Sequence, residues 1–184
     1  GQGEQEQQHR REVAQAKPNA AHEIIASLEE HFQVTVVTQN IDDLHERGGS
    51  TQVMHLHGEI FKMRSTADES MIQAIRGDIQ LGDRAPDGTQ WRPHIVWFEE
   101  PVPMIDAAVQ VMKQADYFLL VGTSLQVYPA AGLIHALPTE APKLVVDKRI
   151  PPVNGIDHLH TFEYPATLGM PLAKERLLQF LQEL

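Results

Sequence analysis

Gln39, Asn40 and Asp42 stand together in the stretch Thr38-Gln39-Asn40-Ile41-Asp42-Asp43-Leu44-His45, and His57-Gly58 follows a short way downstream. Two amides and a carboxylate can orient a polar ligand by donating and accepting hydrogen bonds without attacking it. A histidine, whose ordinary pKa lies near neutrality, can take up and return a proton at physiological pH. Gly58 allows a ligand to come close to the backbone beside it. Each feature also has a plain reading. The amide and carboxylate group suits a polar turn after a strand, and His57 is one of ten histidines. His55 and His57 form a His-x-His pair that could hold a metal with Asp42 or Asp43. A third histidine at suitable spacing is missing, which argues against a metal-dependent hydrolase.

These residues need elements to position them. The β-branched run Val34-Thr35-Val36-Val37-Thr38 predicts a buried strand, so the polar group falls beyond its carboxyl end, where α/β sheets bind ligands. Pro18 opens a predicted amphipathic helix with Ile24, Ile25 and Leu28 inward. Residues 42–50 predict a short helix or turn, and Val53 to Gly58 a short extended piece. On a regular strand, His55 and His57 would share a face. Residues 60–92 are polar and carry turn signals at Gly77-Asp78, Gly82-Asp83 and Asp87-Gly88. They are expected to form a small module of irregular structure, 60–92. His94 to Phe98 is extended again, and Met104 to Ala115 has helical spacing. Tyr117-Phe118-Leu119-Leu120-Val121 is a continuous apolar run of the buried parallel type, stopped by Gly122-Thr123-Ser124. A short helix over 130–136, a strand at Lys143–Asp147, an edge strand at Thr161–Tyr164 and a closing helix over 172–184 complete the pattern. Strands alternating with helices predict an α/β fold with a doubly wound parallel sheet.

Composition narrows the function. The 184 residues suffice for one core with a small appended lobe. Apolar residues make up 42% and charged residues 22%, an ordinary globular balance. A net charge of -10 argues against nonspecific nucleic-acid binding. No apolar run reaches the roughly 18 residues of a membrane span, and the Gln/Glu-rich start has no signal-peptide pattern. With no cysteine in the sequence, disulfides, thiolate metal sites and a cysteine nucleophile are excluded together. The expectation is a cytoplasmic monomer with a polar, disordered start over 1–16.

The order Thr-Gln-Asn-Ile-Asp-x-Leu-His, together with His55-Leu56-His57-Gly58, resembles the sirtuins, NAD-dependent protein deacylases, from about Lys17 to Leu184. The resemblance implies a Rossmann-like domain over 17–59 and 93–184 carrying the small lobe, with NAD as cofactor and an acyl-lysine protein or peptide as substrate. It implies that Gln39 contacts the nicotinamide ribose and that Asn40 and Asp42 hold the ribose and the carboxamide. It also implies that His57 is the general base. In the family's reaction the acyl-lysine carbonyl oxygen displaces nicotinamide, the base draws a proton from the ribose hydroxyls, and the acyl group passes to ADP-ribose. Val96 and Phe98, in Ile95-Val96-Trp97-Phe98-Glu99-Glu100-Pro101, would flank the acyl-lysine while the peptide pairs as a β-strand. Gly122, Thr123 and Ser124 with Asp147 would meet the adenosine half of NAD. His55 is expected to be structural.

The sequence departs from the family in several places. Glu99 stands where the family usually has glycine, and Asp147 where it often has asparagine. The family's glycine-rich opening strand and phosphate-cradling loop are absent. Their loss is expected to expose an apolar sheet edge and suggests that an amino-terminal part is not included. The four-cysteine zinc site common in the family's small lobe is also absent, so no metal is expected and the lobe must hold by its own packing. A Tyr-x-x-Arg pair that marks removal of succinyl or malonyl groups would fall on Gln7 and Arg10, leaving Arg10 either facing a carboxylated acyl chain or solvated. A second reading is a catalytically weak NAD or ADP-ribose binding module, favoured by the missing loop and by Glu99.

Overall fold

The computed structural model describes residues 2–97, 99–123, 125, 128 and 130–184. Three helices and two strands lead into the site: α1 (Gln2–Gln15), α2 (Ala20–Ser27), β1 (Val36–Thr38), α3 (Leu44–Arg47) and β2 (Val53–His55). Then come β3 (Gly58–Ser65), β4 (Ile72–Ala74) and β5 (Trp91–Ile95). The remaining elements are α4 (Ile105–Lys113), β6 (Phe118–Val121), α5 (Ala130–Leu133), β7 (Lys143–Asp147), β8 (Leu159–Glu163) and α6 (Ala166–Gln182). Among the described residues no helix is long and apolar enough to cross a membrane.

The expected parallel α/β arrangement is present. β7 is buried along most of its length and lies between β6 and β8, with all three strands parallel. α6 covers one face of this sheet through Met170, Ala173, Leu177 and Phe180, which pack with Leu144 and Val146. Burying one such side chain contributes about 1.5–3 kcal/mol. The approach is close: a Cβ on Gly169 would sit 2.5 Å from Val146 Cγ1. On the other face Leu120 and Val145 meet Ile134 and Leu137.

β1 and β2 form a second parallel pair. Among the described residues β1 bonds only β2, and β6 bonds only β7. A cleft of about 1460 Å³ is lined by residues 34–40 on one side and 117–123 on the other. A strand turning one face to a cavity contributes every second residue. The unbroken runs therefore mean that two strand edges border the cleft.

Residues 60–92 are more regular than their turn signals predict. β3 pairs antiparallel with both β4 and β5, and Met63, Ala85 and Trp91 make a small core there. Widely spaced apolar residues within polar sequence conceal this sheet from a periodicity argument. Residues 2–15 are also not disordered. They form α1, whose Val13 packs with Ile60, Phe61 and Ile95. Arg10 is neither solvated nor in the candidate site; it is 1% exposed, and its Nε donates to the Ile60 carbonyl at 2.8 Å. Burial lowers its pKa, against the opposing charges of Asp78 and Glu6. Pro18 precedes rather than opens α2, whose N-cap is Asn19. Asn19 Oδ1 accepts from the His22 amide at 3.1 Å, and the Asn19 amide donates to His22 Nδ1 at 3.0 Å.

Candidate active site

The loop after β1 is held by its own polar atoms. The Asn40 amide donates to Thr38 Oγ1 at 3.1 Å, and the Leu44 amide to Asp42 Oδ1 at 3.0 Å. The Leu56 amide donates to the Thr38 carbonyl and the Ile60 amide to the Ile41 carbonyl, so β1 and the β2–β3 segment clamp the loop from below. His57 lies in a turn between β2 and β3, not on a regular strand beside His55. The turn nevertheless aims both rings at the same loop. His57 Nδ1 is 3.2 Å from the Gln39 carbonyl oxygen and His55 Nδ1 is 3.1 Å from that of Asn40. A carbonyl only accepts, so both Nδ1 atoms carry protons. His55 Nε2 faces Glu46 Oε2 at 2.8 Å. His57 Nε2 has no partner among the described residues. His55 is therefore tied into the scaffold, and His57 keeps an open nitrogen.

His57 lines a cavity of about 690 Å³ with Gln39, Asn40, Asp42, Val96, Trp97 and Glu99. The His57 carbonyl accepts from the Val96 amide at 2.9 Å, tying the histidine turn to the segment after β5. That segment is braced by Arg92, which bonds Glu100 at 2.9 and 3.1 Å and stacks 3.7 Å from the Trp97 ring centroid. The Arg92 hydrogen bonds, then that from the Trp97 amide, pull the Glu100 carboxyl down to about 2. On the other side Trp97 Nε1 donates to Glu6 Oε1 at 2.5 Å, bringing α1 against the cavity, which His9 also lines. Sequence reasoning missed His9, Glu6 and Trp97. The polar sequence of α1 carried no signal that it docks.

Gln39 and Asn40 line both this cavity and the cleft between β1 and β6, where Gly122 and Thr123 stand opposite them. Gln39 Nε2 reaches Thr123 Oγ1 at 3.5 Å. The carboxyl ends of β1 and β6 thus meet at one place, with amide and hydroxyl groups above an apolar floor. Asp147 lines neither space; its Oδ1 accepts from the Lys148 amide at 2.7 Å. Ser124 and Phe98, also expected in the site, lie outside the described residues.

The donor set does not suit the zinc site common in the resembling family. The sequence has no cysteine. The one described group of histidine and carboxylates close enough to hold an ion, Glu46, His55 and Glu59, lies outside residues 60–92. The 2.8 Å between His55 Nε2 and Glu46 Oε2 is an ordinary hydrogen-bond length.

The sequence model of the Sir2 family matches residues 4–129. A NAD-dependent protein deacylase of Bacteroides thetaiotaomicron is 42% identical over 175 residues, covering 92% of this chain and 75% of the relative. One of Aggregatibacter actinomycetemcomitans is 49% identical over 140 residues, covering 76% of this chain and 67% of the relative. Among solved structures, a mutant Sir2 homologue in complex with ADP-ribose aligns with a TM-score of 0.81 at 29% identity, over 96% of this chain and 73% of that one. Sir2 bound to acetylated peptide aligns at 0.74 and 30% identity, over 89% and 72%.

Proposed function

The chain belongs to the Sir2 family, and from that premise we propose that it acts as an NAD-dependent protein-lysine deacylase, moving an acyl group from lysine to ADP-ribose with release of nicotinamide. One observation carries the reading. His57 is held by the Gln39 carbonyl in the tautomer that leaves Nε2 open, inside the cavity that Gln39, Asn40, Asp42 and Val96 also line.

NAD fits the residues present in kind. Gln39, Asn40 and Asp42 offer donors and acceptors where a ribose and a carboxamide would sit. Gly122 and Thr123 stand across the strand ends, in the crevice where open α/β sheets bind nucleotides. When bound, NAD supplies a sugar carbon from which nicotinamide can leave with the bonding electrons. The chain's own residues do the rest: the amides orient, and the apolar walls at Ile95 and Val96 exclude water. Nε2 of His57 receives a proton within the cavity. Val96, whose amide donates to the His57 carbonyl, would lie alongside an incoming acyl-lysine peptide.

The test is His57→Ala. NAD-dependent deacylation of an acetyl-lysine peptide should fall by about 10²–10⁴-fold, the usual contribution of a general base, while NAD binding by calorimetry persists. Retention of a tenth of the activity would remove His57 from the role. That Asp147 lines neither space, and that among the described residues β1 bonds only β2 and β6 only β7, favour a second reading, a weakly catalytic NAD or ADP-ribose binding module. Binding of ADP-ribose without turnover would select it.

A further inference from the structure

Glu99 sits in the left-handed region with φ 68°, one of two described non-glycine residues at positive φ. A side chain with a Cβ is strained there, and glycine is not. The other, His158, is paired with Glu140 at 3.4 Å. Glu99 has no hydrogen bond or ion pair with any described residue, and it is exposed. It nonetheless lines the cavity that holds His57 and Val96. The neighbouring carboxylates are already engaged: Glu100 by Arg92 and the Trp97 amide, Asp42 by the Leu44 amide. Among the described residues Glu99 thus makes no hydrogen bond or ion pair that stabilises the fold. It lines the cavity in a backbone conformation that disfavours a side chain. Strain of this kind collects where function requires it.

We propose that Glu99 is a specificity-determining residue that favours acyl-lysines flanked by lysine or arginine. The inference rests on the deacylase reading and names its substrate class. An acylated lysine is neutral at its nitrogen, so a cation that answers Glu99 must lie on the residues beside it. A peptide extended along 95–97 carries those neighbours past position 99. The net charge of -10 attracts the same peptides from a distance.

The experiment measures binding of two labelled acetyl-lysine peptides by fluorescence anisotropy at low salt. The peptides are identical except for arginine or glutamate at the positions flanking the acetyl-lysine. Wild type should favour the arginine peptide by at least about threefold, within the range of an exposed ion pair. Glu99→Gln keeps the size and the backbone strain, and it should lose most of that preference. Glu99→Gly should lose it too while raising the melting temperature, as strain is released. An unchanged ratio in Glu99→Gln, equal binding of both peptides by wild type, or binding of neither overturns the proposal. NAD-dependent turnover of the same peptides is scored separately. Preference without turnover defeats the deacylase reading, and turnover without preference defeats only the role of Glu99.

Discussion

The imidazole of His57 and the carbonyl of Gln39, 3.2 Å apart, join the two segments that carry the chemistry. Because the carbonyl can only accept, the contact determines which ring nitrogen keeps the proton. In neutral His57 the hydrogen should reside on Nδ1. Nitrogen chemical shifts of ¹⁵N-histidine protein at neutral pH, with His57→Gln for the resonance assignment, should show a protonated Nδ1 and a bare Nε2. A dominant Nε2–H form would contradict the geometry.

Gly58 permits this arrangement. It has φ +94°, and a Cβ there would lie 2.1 Å from the His94 carbonyl oxygen and 2.8 Å from Ile95 Cα. Both neighbours are backbone and cannot swing aside. Gly58→Ala should destabilise the protein by about 1–3 kcal/mol in urea denaturation. It should also reduce activity beyond the unfolded fraction, because the shift moves His57. Unaltered stability would mean that β3 and β5 separate more easily than their pairing implies.

His22 and His45 make the fold acid-sensitive. Burial lowers both pKa values from 6.5, and for His45 the nearby His22 adds to the effect. Their rings lie 4.9 Å apart, and His22 Nδ1 must stay unprotonated to accept from the Asn19 amide. The unfolded chain binds protons more readily as pH falls below 6.5. Stability is therefore fully present above that value and is lost as pH drops through the depressed folded values. Urea midpoints should fall between pH 7 and pH 5, and His45→Phe should flatten the decline. A midpoint independent of pH across that window would refute this.

The three-stranded sheet of β3, β4 and β5 should stand without metal. Trp91, 8% exposed, packs with Met63 and Ala85, so Trp91→Ala should cost about 3 kcal/mol. Chelators should leave the melting temperature of the wild type unchanged. A chelator-induced drop, or a stoichiometric equivalent of zinc in purified protein, would show that packing is not what holds the sheet.

Local pattern made much of this protein legible. The apolar runs that became β6 and β7 needed no context, because both faces of these strands carry apolar residues that pack into the two flanking clusters. The polar group at 39–42 and His57-Gly58 announced themselves by type and order. The sequence also determined that no thiolate metal site can form. Tertiary structure alone decided what depends on residues far apart in the chain. Gln39 meets Thr123 only when the ends of β1 and β6 converge. α1, polar and with little to bury, docks because Glu6 finds Trp97 and Arg10 finds the Ile60 carbonyl. In the sequence Glu99 stands out only as a departure from the family's glycine. Its left-handed backbone and its place in the lining of the cavity that holds His57 are set by the fold. Periodicity reports which face of a segment is apolar. The partners of single polar atoms are chosen by the fold.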